Sequence, residues 1–199
     1  MPKIYGDILS GNCYKLKLLA NFMDYKHEWI HVDILKGESH TPDFLHKNTN
    51  GKIPVLECDD GRCLSESNAI LFYMAQGTDF FPKDLFAQAQ VLQWQNFEQY
   101  SHEPYIAVAR YIEKYLGLPE NRKADYERTK IPGYKALDVM EYHLKDTMFF
   151  VSDTLTIADI SLFAYTHVCH EGGFTLENYP HIRRWIETVK SAPKFVGMC

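Results

Sequence analysis

Gly51-Lys52-Ile53-Pro54-Val55-Leu56, followed ten residues on by Glu66-Ser67-Asn68-Ala69-Ile70, decides the fold of this chain. The first stretch reads as a proline at the start of a strand that runs into a hairpin. The second reads as an acidic residue and a hydroxyl opening an apolar helix. An Xaa-Pro bond can be held cis, and the expectation is that this turns the backbone N–H and C=O of Ile53 outward to pair with an extended peptide. Ser67 at a helix N-terminus offers a hydroxyl, an unpaired N–H and the positive end of a dipole, a combination that favours a carboxylate. Glu66 beside it attracts an ammonium. A ligand with a peptide backbone in the middle and an amino-acid zwitterion at one end fits this set.

On the N-terminal side, Lys3 to Ile8 reads as a strand and Asn12 to Met23 as a helix, with Leu16, Leu19 and Met23 on one face and Asn12 as its cap. His27 to Ile34 alternates polar and apolar positions, a strand pattern. A polar loop, Lys36 to Thr41, leads to a short helix from Pro42. The hairpin Val55 to Leu64 and the helix from Glu66 to Gln76 complete a βαβαββα order, a thioredoxin-like unit with helices on both sides of a small mixed sheet. Residues 77–86 read as a linker. From residue 87 to 199 strand signals vanish and the pattern is all-helical. Pro104 is expected to kink or break the long segment Leu85 to Leu116. Another helix spans Asn121 to Lys145, and Thr156-x-x-Asp159 opens a further one as a reciprocal cap with Asp in place of Glu.

Composition narrows the function classes. The chain of 199 residues is 46% apolar and 24% charged, ordinary for a globular protein. A net charge of −5 without a basic run argues against a nucleic-acid partner. No apolar stretch approaches a membrane span, and Met1-Pro2-Lys3-Ile4-Tyr5 lacks the apolar core of a signal peptide, so a cytoplasmic location is expected. Five cysteines without framework spacing speak against a disulfide scaffold. If Asp60-Gly61 is a two-residue turn, Cys58 faces Cys63 across the hairpin, with Cβ atoms about 4.5–5.5 Å apart. His167 and His170 share a helix face, but no third ligand has suitable spacing and no metal is expected. Neither a Cys-x-x-Cys motif nor a phosphate-binding glycine loop is present.

Four motifs together span nearly the whole chain: Ser10-Gly11-Asn12-Cys13, Ile53-Pro54-Val55-Leu56, Glu66-Ser67 and Thr156-Ile157-Ala158-Asp159. With them the sequence resembles the cytosolic glutathione transferases, in particular their bacterial, theta-like and beta-like branches. The resemblance implies that glutathione is the co-substrate, with no prosthetic group, and that its thiolate is conjugated to small apolar electrophiles or reduces organic peroxides. A glutathione-dependent disulfide oxidoreductase and a non-catalytic glutathione transferase-fold binding protein are the alternatives. It also implies that the capped helix at Thr156 serves folding.

A free thiol near pKa 8.5 is ionised only to about a few per cent at neutral pH, so a thiolate enzyme needs a hydroxyl donor or a helix N-terminus beside the sulfur. Ser10-Gly11-Asn12-Cys13 offers both. In theta-like enzymes a serine three positions before the cysteine donates to the thiolate, which matches Ser10. In beta-like enzymes the cysteine itself takes part through a mixed disulfide, which matches Cys13. Ser10 is the favoured donor, and Asn12 is the third candidate. Tyr5 sits mid-strand and is set aside. Ile53, Pro54, Glu66 and Ser67 are the expected glutathione contacts, with Lys52 and His40 for the glycyl carboxylate. His40 stands one residue nearer Phe44 than the family pattern, and Ser39 occupies the aligned position. Ile8, Leu9, Tyr105, Val108, Tyr111 and Tyr165 are the candidate lining of an apolar electrophile pocket, and Arg110 is a candidate beside them. The family forms homodimers in which a partner residue touches the γ-glutamyl group, a role for Glu98, Gln99 or Glu103 here.

Overall fold

The computed structural model describes residues 1–198. Two compact units emerge: Met1–Thr78 together with the tail from Pro193, and Asp79–Ala192. The first is the thioredoxin-like domain and the second is all-helical.

The first unit carries a four-stranded mixed sheet in the order β2-β1-β3-β4, from β1 (Lys3–Gly6), β2 (Glu28–His31), β3 (Val55–Glu57) and β4 (Cys63–Ser65). β1 runs parallel to β2 and antiparallel to β3. Helix α1 (Gly11–Phe22) is buried on nearly all sides, with Leu16, Leu18 and Leu19 fully enclosed, each contributing about 1.5–3 kcal/mol. Its outer side receives the C-terminal tail: Tyr14 Oη donates to Val196 O at 2.7 Å and Lys17 Nζ reaches the Gly197 and Met198 carbonyls, each at 3.2 Å. Helix α2 (Pro42–Lys47) starts on a Thr41 cap, and α3 (Ser67–Ala75) buries Ile70, Leu71 and Met74.

Two local readings are corrected. The cap of α1 is Ser10, not Asn12: its side chain accepts from Cys13 N, so the helix starts at Gly11 and Asn12 lies in its first turn. The hairpin loop is also longer than two residues. Gly61 N bonds Cys58 O at 2.9 Å, Cys58 N bonds Arg62 O at 2.8 Å, and Gly61 takes φ +83°. This is a turn closed by a left-handed glycine bulge, and it shifts the register by one residue. Cys63 therefore faces Glu57 rather than Cys58, and the two thiols are free.

In the second unit α4 (Leu85–Phe97) and α5 (Glu103–Arg110) form one continuous helical path. The expected break at Pro104 is absent. Pro104 cannot donate to the carbonyl four residues back and its ring crowds that carbonyl; a widened π turn over Glu98–His102 opens the helix just before it. A second π turn covers Tyr111–Tyr115. Helix α6 (Lys123–Leu144) continues through Pro132, and Gly133 fits because a Cβ there would stand 2.5 Å from the Phe174 ring.

Helix α7 (Ile157–Thr166) has every residue buried and is the centre of this unit. Its N-terminus is sealed. Asp159 Oδ2 accepts from Thr156 N at 2.9 Å and from Thr156 Oγ1 at 3.1 Å, while Oδ1 accepts from Phe150 N at 3.1 Å and Trp185 Nε1 at 3.0 Å. Burial raises the Asp159 carboxyl to about 6 against the pull of these donors. Helix α8 (Pro180–Lys190) buries Ile182, Trp185, Ile186 and Val189, a helical stripe, and Glu141 of α6 caps it by accepting from His181 N and Ile182 N. No helix among the described residues is long and apolar enough to cross a membrane.

Candidate functional site

The β1–α1 loop is shaped by Asp7, which is buried; its carboxylate accepts from Leu9 N at 2.9 Å and its carbonyl from Ser10 N at 3.0 Å. This delivers Ser10, half-buried, to the N-terminus of α1. Three residues on, Cys13 is fully enclosed and its thiol is pushed up to about 12: burial raises it and outweighs the Ser10 hydroxyl and the Lys15 charge, which lower it. A Cβ on Gly6 would stand 2.7 Å from Cys13 Sγ, so glycine in β1 is what lets this sulfur pack against the strand. A buried neutral thiol neither attacks nor exchanges readily. Ser10 and Cys13 are neighbours in the fold but differ in access.

Glu66 and Ser67 stand where β4 hands over to α3. Glu66 is exposed with φ +69°, a left-handed backbone that a non-glycine residue holds only when its surroundings impose it, and such positions cluster at binding sites. Ser67 is the first residue of α3 and is 5% exposed. Its hydroxyl donates to Asn12 Oδ1 at 3.2 Å, which ties the start of α3 to the first turn of α1. The same hydroxyl accepts from Lys15 Nζ at 3.3 Å, and Lys15 is wholly buried. Lys15 lies outside the motifs read from the sequence, where Lys15 and Lys17 alternate in the run Tyr14 to Ala20 and nothing local tells the buried lysine from the other.

The Ile53-Pro54 peptide bond is cis, as expected, with Ile53 half-buried and Pro54 buried. The turn before it is organised by Asn48, buried and unremarked in the sequence, whose side chain donates to Lys52 O at 2.7 Å. Lys52 is exposed. His40 is also exposed and lies over Gly51: a Cβ there would meet His40 Nε2 at 3.0 Å. The fold thus brings His40 and Lys52 to one edge, whereas Ser39 is buried with its hydroxyl 3.1 Å from His40 Nδ1. Tyr5 donates to Glu57 Oε2 at 2.8 Å and is a packing residue.

The apolar candidates separate. Leu9 and Ile8 are exposed in the first unit. In the second, Tyr105, Val108 and Tyr111 recur every three residues along one helical stripe, with Val108 and Tyr111 exposed. Tyr105 also lines a cavity of about 260 Å³ with Phe97, Tyr100 and Pro132. Tyr165 is not on that stripe; it is buried in α7 with the rest of that helix. Arg110 is neither solvated nor open: it is buried against Glu171, whose carboxylate accepts from Arg110 Nε at 2.6 Å and from Lys114 Nζ at 2.8 Å. His167 stacks on Phe163 and shares its Nδ1 proton with the Phe163 carbonyl, while His170 is exposed. Among the described residues no three metal-ligating side chains converge. Glu98 is wholly buried, while Gln99 and Glu103 are half-buried and joined by a bond from Gln99 Nε2 to Glu103 Oε2 at 2.6 Å.

The sequence matches the family descriptions "Glutathione S-transferase, N-terminal domain" over residues 3–76 and "Glutathione S-transferase, C-terminal domain" over residues 93–193. The chain belongs to the glutathione S-transferase family. Among solved structures it is similar to a glutathione S-transferase from Pseudomonas fluorescens, with 56% identity, a TM-score of 0.97, and 99% of this chain and 98% of that one covered. A possible glutathione S-transferase from Rhodopseudomonas palustris shares 43% identity with a TM-score of 0.95, covering 100% of this chain and 90% of that one. Among curated proteins, Elongation factor 1-gamma of Sus scrofa is 33% identical over 162 residues, 79% of this chain but 36% of its own length. The family member described here thus spans about a third of the length of the first curated relatives it matches.

Proposed function

We propose that this protein is a catalytic glutathione transferase that conjugates glutathione to small apolar electrophiles. The observation that carries the proposal is the Ser67–Asn12 hydrogen bond of 3.2 Å, which joins a carboxylate-receiving helix start to the loop that presents Ser10. In this reading the γ-glutamyl end and the sulfur of one ligand are served by two helix starts that this hydrogen bond joins.

In this reading the γ-glutamyl carboxylate meets the Ser67 N–H and the positive end of α3, and its ammonium meets Glu66. The peptide pairs with Ile53 beside Pro54, and the glycyl carboxylate faces Lys52 and His40. Ser10 donates to the sulfur and holds it as thiolate. Hydrogen bonds to a charged group contribute about 1.5–3 kcal/mol, enough to ionise much of a thiol at neutral pH. With chloro-dinitrobenzene the sulfur forms a bond to the ring carbon and chloride leaves with its electron pair. With an organic peroxide two glutathiones give the disulfide, an alcohol and water. Leu9 is the apolar side chain that the first unit offers an electrophile, and the stripe Tyr105, Val108 and Tyr111 is what the second unit offers. Tyr165 is left to the core. A cytoplasmic homodimer is part of this reading, with Gln99 or Glu103 as the residue offered to the partner's γ-glutamyl group and the buried Glu98 set aside.

The similarity to Elongation factor 1-gamma, whose name is not that of a transferase, supports a second reading, a glutathione transferase-fold binding protein without turnover. Assay of the purified protein with chloro-dinitrobenzene, cumene hydroperoxide and hydroxyethyl disulfide separates the readings. Conjugation is expected with the first. Turnover with the disulfide alone means an oxidoreductase, and binding of glutathione without any turnover means the second reading.

A further inference from the structure

We propose that Lys15 is a positioning residue for the carboxylate that Ser67 receives; the proposal rests on the glutathione reading above and extends it to a residue outside the matched motifs. Lysines normally keep their ammonium in water, because burying a charge is costly unless it is hydrogen-bonded. Lys15 is 0% exposed, and its Nζ donates to Ser67 Oγ at 3.3 Å.

The direction of that bond matters. An ammonium has donors and no acceptor, so Ser67 Oγ must accept from it, and the one hydroxyl proton has to point elsewhere. It now points to Asn12 Oδ1. A carboxylate, which can only accept, finds at the start of α3 the Ser67 N–H, a hydroxyl whose proton is turned away from Lys15, and an ammonium one hydrogen bond behind it. That charge acts through little water, where it is felt more strongly than at a surface. Lys15 thereby acts through Ser67 and need not touch the ligand.

The test compares the parent protein with Lys15→Met, which keeps the length and removes the charge, and Lys15→Arg. Calorimetry measures binding of glutathione and of 4-aminobutyryl-cysteinyl-glycine, which lacks only the γ-glutamyl carboxylate. Lys15→Met is expected to weaken glutathione binding about tenfold and leave the analogue unchanged, and Lys15→Arg to restore part of the loss. Equal weakening of both ligands, or of neither, overturns the proposal, since a purely structural role cannot tell them apart. If the parent protein binds no glutathione, the underlying site reading fails before Lys15 is reached. Should Lys15→Met not fold, a crystal structure of the parent with glutathione decides. Ser67 Oγ bridging Lys15 Nζ and a ligand carboxylate supports the proposal; Ser67 still donating to Asn12, with the carboxylate elsewhere, overturns it.

Discussion

Two helix N-termini in this protein carry the same elements, a hydroxyl at or beside the cap and a carboxylate nearby, and use them in opposite ways. At α7 the carboxylate is the protein's own: Asp159 lies fully buried three residues after Thr156 and accepts from four donors. At α3 the acidic neighbour, Glu66, is exposed at a left-handed backbone angle, and its side chain makes no capping hydrogen bond. A helix start capped from within by a buried carboxylate contributes to folding; one whose cap residue turns its side chain out to solvent can receive a ligand's charged group.

Removing the sealed cap should have the largest effect. Asp159→Ala leaves buried N–H groups of Phe150, Thr156 and Trp185 without an acceptor. Loss of a cap costs about 1–2 kcal/mol and each of the three stranded buried donors about 1–3 kcal/mol, so a total of at least about 4 kcal/mol is expected. Urea unfolding would show it, and the folded fraction should keep its affinity for glutathione. A comparable loss of affinity would erase the distinction between the two termini.

At the open site, Ser10→Ala should lower turnover with chloro-dinitrobenzene at least about tenfold and raise the pKa of bound glutathione by about one to two units, with about 1 kcal/mol of lost cap stability. Thiolate absorbance against pH reads the shift directly. Cys13→Ala should do the reverse, costing about 1 kcal/mol of stability for the buried sulfur while barely changing turnover. Glutathione found on Cys13 by mass spectrometry would transfer the role from Ser10 to the cysteine.

The last comparison concerns pH. Burial lowers His167 to about 4, with Lys190 and Arg110 adding to the decrease. Its unfolded value is near 6.5, so its contribution to stability is present above that pH and is lost as pH falls toward 4. Asp159, raised to about 6, works in the opposite sense across much of the same window, so only the difference between proteins is informative. His167→Asn should therefore show a melting temperature that declines less than the parent's between pH 6.5 and 4. An identical decline would mean that the imidazole is protonated in the folded state.

Legibility in the sequence followed the range of the interaction. Ile53-Pro54, Glu66-Ser67 and the Thr156–Asp159 cap were readable because each is a short motif whose backbone role is set by its own residues. The hairpin register was not, since Gly61 satisfies the positive φ of either a two-residue or a bulged turn, and the pairing of Glu57 with Cys63 chose between them. Pro104 marked a disturbance correctly, but whether the helix breaks or widens depends on what packs against it.

By itself, then, the sequence determined the order of elements, the family and the motif residues at the two helix starts, because periodicity, caps and turn chemistry act between near neighbours. Only the tertiary structure decided that Cys13 is sealed behind Gly6, that Arg110 is bound to Glu171, that Glu98 points inward and that Lys15 lies under Ser67. Those facts turn on which surfaces meet across long stretches of chain, and burial, rather than residue type, sets the reach of each group.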